Sequence, residues 1–181
     1  MGFRDWLPGS GESPQEAADR LRGEALSDPA SVDVERLVDL FREAEERSVA
    51  RAAAKGIEAV ARERPDRLTD HVADLLAGAT SVEGAGADHR GELGVAIQRV
   101  AAVDPEAVAA HADALLDALE QELAANERPG HDVRLDEEKA VALCGAIGAA
   151  GISEARPLLL KLSRLPQATV GEAARDALRE I

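Results

Sequence analysis

One apolar template recurs four times along the chain, in steps of four, four and three residues. It reads Val49-Ala53-Ile57-Val60, then His89-Leu93-Ile97-Val100, then Asp136-Ala140-Cys144-Ile147, and last Val170-Ala174-Leu178-Ile181. Such steps fall on one stripe of a helix with 3.6 residues per turn, and they would scatter over both faces of a strand. Two copies agree over a longer stretch. Ile57, Val60, Pro65, Leu68, His71, Leu75 and Leu76 return 40 residues later as Ile97, Val100, Pro105, Val108, His111, Leu115 and Leu116. Self-similarity at this period signals one supersecondary unit used repeatedly, each unit burying an apolar face against the next.

Before each template lies a second apolar stripe. The four are Leu37, Leu40 and Phe41; Leu68, Val72, Leu75 and Leu76; Val108, Ala112, Leu115, Leu116 and Leu119; Leu159 and Leu162. The pattern predicts four helix pairs, roughly 31–63, 65–102, 105–150 and 154–181. The polar first members His89 and Asp136 mark helix starts. An earlier helix opens at Ser13 with Pro14 as its first helical residue, runs to about Leu26 and stops before Asp28-Pro29. It would cap the first pair. The expected division is a flexible N-terminal segment over 1–13, with Pro8-Gly9-Ser10-Gly11 as linker, and a helical repeat domain over 14–181. No run alternates with period two as a strand would.

The segment from Ala155 to Leu162, Ala-Arg-Pro-Leu-Leu-Leu-Lys-Leu, followed by the run from Val170 to Ile181, resembles a HEAT repeat. It matches the family's first helix in its proline and leucines, and the second helix in its order of Val, Ala, Ala-Leu and Ile. The run from Ser48 to Ile57 matches the second-helix pattern again. The resemblance covers about 31–181 and implies an all-α fold, a short α-solenoid of four HEAT-like pairs plus the N-terminal capping helix. The units depart from regularity, with offsets of 40, 47 and 34 residues, and the middle two lack the family's Val-Arg pair. Members of the family are mostly binding scaffolds. The Trp and Tyr signature of tetratricopeptide arrays is absent.

The surface is acidic. There are 35 acidic residues against 21 basic ones, a net charge of −14, with only three lysines, Lys55, Lys139 and Lys161, and 2 % aromatics. This composition resembles that of proteins from salt-loving organisms, in which dense carboxylates stay hydrated while salt screens their repulsion. The same field repels phosphate, which argues against nucleic acid and against anionic membranes as partners. No stretch approaches the roughly 18 apolar residues of a membrane span, and Met1–Ser10 has no apolar signal-peptide core. A cytoplasmic protein is the expectation.

Candidate chemistry is sparse. His71 and His111 sit at equivalent repeat positions and read as boundary residues, although Asp74 lies one helical turn from His71. His131 and Asp132, with Asp136 to Glu138 beyond, fit no cation-loop spacing, and Asp136 or Asp132 reads as a helix cap. Cys144 falls inside a core stripe and has no neighbouring His. Gly84, Gly86 and Gly91 form no phosphate loop. Gly145, Gly148 and Gly151 suggest close helix packing and then a helix stop. The sequence thus predicts no catalytic residue, metal or cofactor. Phe3, Trp6 and Leu7 form an apolar cluster that either anchors on the domain or a partner, or is disordered.

The remaining candidate is a basic stripe. Arg47, Arg51, Lys55 and Arg62 lie opposite the Val49/Ala53/Ile57/Val60 stripe, with Glu58 among them. Glu43–Arg47 and Glu58–Arg62, at spacing four, would pair part of it. The resemblance implies that second helices line a concave side. The equivalent faces of the next units are small: Gly91, Val95 and Ala102, then Ala142, Gly145 and Ala149. The expected function is a non-enzymatic interaction scaffold that binds a protein partner, for example through an acidic segment, on its concave face. The binding residues are Arg47, Arg51, Lys55, Arg62, Gly91 and Val95. The alternative is an accessory subunit, or an enzyme resembling the HEAT-like phycobilin lyases, acting on a larger complex.

Overall fold

The structure is a computed structural model that describes residues 11–81, 84–127 and 135–181. Phe3, Trp6, Leu7, His131 and Asp132 lie outside these residues. Among the described residues there are ten α-helices and no strand. They are α1 (Pro14–Ser27), α2 (Val34–Arg42), α3 (Arg47–Glu63), α4 (Val72–Thr80), α5 (Arg90–Val103), α6 (Pro105–Ala109), α7 (Ala112–Glu127), α8 (Glu137–Ala149), α9 (Arg156–Leu162) and α10 (Ala168–Glu180).

Local signals set the boundaries. Ser13 caps α1 in a capping box: its hydroxyl accepts from the Glu16 amide, and the Glu16 carboxylate accepts from the Ser13 amide at 2.8 Å. Asp33, Asp104 and Asp136 cap α2, α6 and α8 through side-chain oxygens. At the end of α8, Gly151 takes φ +67° and its amide donates to Gly148 at 3.0 Å. The Ile152 amide donates to Ile147 at 3.1 Å, which completes a Schellman stop.

The helices pack in two layers. In the first, α1 packs on α3, α3 on α5, α5 on α8 and α8 on α10. In the second, α2 contacts α4, α4 contacts α7 and α7 contacts α9. Within each pair the two helices also touch: α2 with α3, α4 with α5, α7 with α8, α9 with α10. The recurring template lies between the layers. Ala53, Ile57, Val60, Leu93, Ile97, Val100, Ala140, Cys144, Ile147, Val170 and Ala174 are all buried. Leu178 and Ile181 are only partly so, on the last helix of the first layer. With so few rings, the core relies on close backbone approach: a Cβ at Gly94 of α5 would stand 3.3 Å from the Ala142 Cβ of α8.

Two first helices are not continuous. A 3-10 turn over Pro65–His71 precedes α4, and α6 ends before His111, so the chain breaks at the equivalent histidines. Both histidines are half-buried. Asp74, one turn from His71, instead pairs with Arg42 of α2 at 3.4 Å. No described helix is long and apolar enough to cross a membrane.

Candidate functional site

Helix α3 carries the basic stripe. Its alanines and Ile57 fill the core, so the opposite positions Arg47, Arg51, Lys55 and Arg62 are exposed. The neighbouring helix supplies carboxylates. Arg47 lies 3.3 Å from Asp88, in the turn before α5. Lys55 reaches Glu58 at 2.9 Å and Glu92 of α5 at 3.2 Å. Arg62 donates to Glu58 at 3.1 Å. His89 also meets Glu92, at 3.3 Å. Burial works against the Glu92 carboxylate, yet backbone hydrogen bonding, His89 and Lys55 hold it below the usual carboxylate range. Glu58, with Glu92 behind it, holds the Lys55 ammonium above its ordinary range despite partial burial. Three of the four cations, Arg47, Lys55 and Arg62, therefore meet three carboxylates, Asp88, Glu92 and Glu58, and Arg51 has no ion pair among the described residues. The stripe is close to neutral rather than strongly basic.

The Glu43–Arg47 pair expected from spacing is not formed. Glu43 caps the end of α2 while Arg47 begins α3, so the two share no helix and the spacing rule does not apply. Gly91 and Val95 follow on α5. Gly91 is buried beneath the Glu138 side chain, whose Oε2 would stand 2.8 Å from a Cβ there, so it does not open onto solvent. Ala142 is likewise buried in the α5–α8 contact. Val95 is half-buried.

Further along the same face, the small residues do leave space. Ala102 of α5, Val141, Gly145 and Ala149 of α8, and Ala173 of α10 line a cleft of about 380 Å³. Gln98, Asp176 and Glu180 bring polar groups to it. Gln98 lies across Gly145, where any Cβ would collide with its amide, so the glycine admits this side chain. The arrangement offers amide and carboxylate groups above an aliphatic floor, suited to holding a peptide or helix surface.

A second cluster lies in the interior, at the meeting of α5, α7 and α8. Lys139 Nζ donates to Glu122 Oε1 at 2.8 Å, and the two side chains are 1 % and 5 % exposed. Glu122 Oε2 accepts from the Asp136 amide at 2.9 Å. Arg90 stands 3.6 Å from Glu122 and 3.8 Å from Asp136, while Asp136 accepts from the Lys139 amide at 3.1 Å. Two cations and two carboxylates balance one another, which is the condition for burying charge. The sequence held a signal for this cluster that periodicity alone passes over: Glu122 follows Leu115 and Leu119 by seven and three residues, on an apolar stripe.

Cys144 is buried, and burial pushes its thiol up to about 12, the opposite of an activated nucleophile. Among the described residues, no three His, Cys, Asp or Glu are grouped to hold a metal. No protein-family model, curated protein or solved structure matches this chain.

Proposed function

We propose that the chain is a short α-solenoid of the HEAT type, a non-enzymatic cytoplasmic scaffold that binds a protein partner on the exposed face of its first layer. The stacking of α1, α3, α5, α8 and α10 beside a second layer supports the solenoid reading. The cleft between α5, α8 and α10 carries the binding reading: it combines an aliphatic floor with Gln98, Asp176 and Glu180 on the exposed side of the layer. The near-neutral α3 end contributes orientation, through Arg51 and through pairs that a partner's carboxylates can exchange with.

Affinity capture from an extract of the source organism at high salt tests this. The parent should retain one stoichiometric protein. Ala149→Phe, which fills the cleft from an exposed position, should abolish retention. Arg47→Glu with Arg51→Glu should weaken it. Lys161→Glu with Arg164→Glu, exposed on and after α9 in the other layer, should leave it unchanged. Equal retention by all variants, or copurifying pigment or nucleic acid in place of a protein, overturns the proposal.

A further inference from the structure

Helices α5, α8 and α10 run parallel and in register. Gly91 of α5 lies under Glu138 near the start of α8, Gly94 faces Ala142, and Gln98 crosses Gly145, so the contacts advance together along both helices. At the leading ends of α8 and α10, Thr169 Oγ1 donates to Glu137 Oε2 at 2.9 Å. At their trailing ends, a Cβ on Gly148 would stand 3.0 Å from the Ala177 Cα. All three helices therefore end along one edge of the first layer, and the cleft of about 380 Å³ lies at that edge. Gln98 and Ala102 come from the closing turns of α5, Gly145 and Ala149 from those of α8, and Asp176, Ala177 and Glu180 from the last turn of α10.

This alignment concentrates negative potential. The C-terminus of a helix carries the equivalent of roughly half a negative charge, from carbonyls with no partner within the helix. Three such ends converge on the cleft, and the Asp176 and Glu180 carboxylates add to them. The usual compensation, a cation in the last turn, is absent from α5 and α8. Arg179 of α10 is taken up by Asp176. Glu180 has no hydrogen bond or ion pair among the described residues, and no basic residue lines the cleft. Negative potential over a floor of Ala102, Gly145 and Ala149 suits a cation carried on an apolar stem. Arginine fits better than lysine: its planar fork donates in two directions at once, and Asp176 and Glu180 stand one turn apart on the same helix face.

We propose that the cleft receives an arginine side chain of the protein partner, with its methylene stem on the Ala102/Gly145/Ala149 floor and its guanidinium bridging Asp176 and Glu180. This rests on the reading of the cleft as the partner's site. At the other end of the same face, α3 presents Arg47, Arg51, Lys55 and Arg62. A partner with carboxylates toward α3 and arginine toward α10 can lie along the layer in one direction only.

The probe is a blocked alanine peptide carrying one arginine, titrated into the millimolar range against the full chain in one moderate-salt buffer and followed by amide chemical shifts. The control peptide carries citrulline, which keeps the shape of arginine and removes its charge. Shifts should centre on Ala102, Gly145, Ala149, Ala177 and Glu180, and citrulline should bind about tenfold more weakly or worse. Asp176→Asn with Glu180→Gln should weaken the arginine peptide to the level of the citrulline one. The citrulline comparison needs no variant, so it decides even where the double variant is destabilised. Equal binding of the two peptides in the cleft overturns the proposal and leaves the cleft as a docking site. No cleft shifts, or shifts scattered over the acidic surface, also overturn it, and the cleft reading survives if Ala149→Phe still abolishes retention of the native partner. Arginine binding in the cleft of a chain whose Ala149→Phe variant keeps its partner overturns the cleft reading, and with it the partner as the source of the arginine.

Discussion

Lys55 and Lys139 each stand within hydrogen-bond distance of a glutamate on another helix, at 3.2 Å from Glu92 and 2.8 Å from Glu122. Their surroundings differ. The Lys55 side chain is 45 % exposed, and Lys139 is 1 % exposed. At Lys55 water competes for both partners, and the pair contributes little to folding. At Lys139 both charges have left water: the ammonium depends on Glu122, and the Glu122 carboxylate depends on Lys139, Arg90 and the Asp136 amide. The first kind of pair can be exchanged for contacts with a partner at small cost. The second fixes how α7 meets α8 and cannot be opened without unfolding that junction. Charge on the face of the first layer is thus available for recognition, while charge between α5, α7 and α8 belongs to the fold.

The largest expected effect comes from placing a charge in the interior with no partner. Ile97 is fully buried on the template stripe of α5. Ile97→Asp should cost more than about 5 kcal/mol, enough to unfold a domain of ordinary stability, as read by chemical denaturation. A variant that melts like the parent would mean that the α5 stripe does not face the core.

Next comes removal of one member of the buried pair. Lys139→Met should cost about 3 to 5 kcal/mol because Glu122 is left buried opposite an apolar group. Adding Glu122→Leu should recover much of that loss, since two apolar groups need no partner. If the double variant is as unstable as the sum of the singles, the interior carboxylate is satisfied without the lysine.

Salt should act on the surface and spare the interior. With a net charge of −14, dialysis from molar salt into dilute buffer should lower the melting temperature as carboxylate repulsion loses its screening. The same change should leave the difference between parent and Lys139→Met nearly constant, because that pair is shielded from ions. Equal or greater stability in dilute buffer would contradict the salt-adapted reading of the composition.

Much of this contrast was legible in the sequence wherever it depended on one helix at a time. Ser13 with Pro14 fixes the start of α1, the cap at Asp136 starts α8, and the four residues of the basic stripe share one helix, Arg47–Glu63, as their spacing implies. Glu58–Arg62, within one helix, forms as its spacing implies. What depends on neighbouring helices was not legible. Asp88 and Glu92 neutralise the stripe from α5 and its leading turn, and periodicity within α3 says nothing about which residues a second helix brings alongside. Gly91 is covered for the same reason, by a glutamate of α8. Lys139 and Glu122 are 17 residues apart in sequence and come together only through the α7–α8 contact. The breaks at His71 and His111 share a repeat position, but the apolar stripe runs through them without interruption, so periodicity gave no sign of them.

The most direct measurement is a pair of double-mutant cycles, one on Lys139 and Glu122 and one on Lys55 and Glu92, using Met for lysine and Gln for glutamate and reading unfolding free energies at a single salt concentration. The interior cycle should give a coupling of about 2 to 3 kcal/mol, near the upper end for contacting residues. The surface cycle should give less than about 1 kcal/mol, the smallest effect of the series. A surface coupling as large as the interior one would contradict the central claim, because the charges on the exposed face would then be committed to the fold and could not be released to a partner.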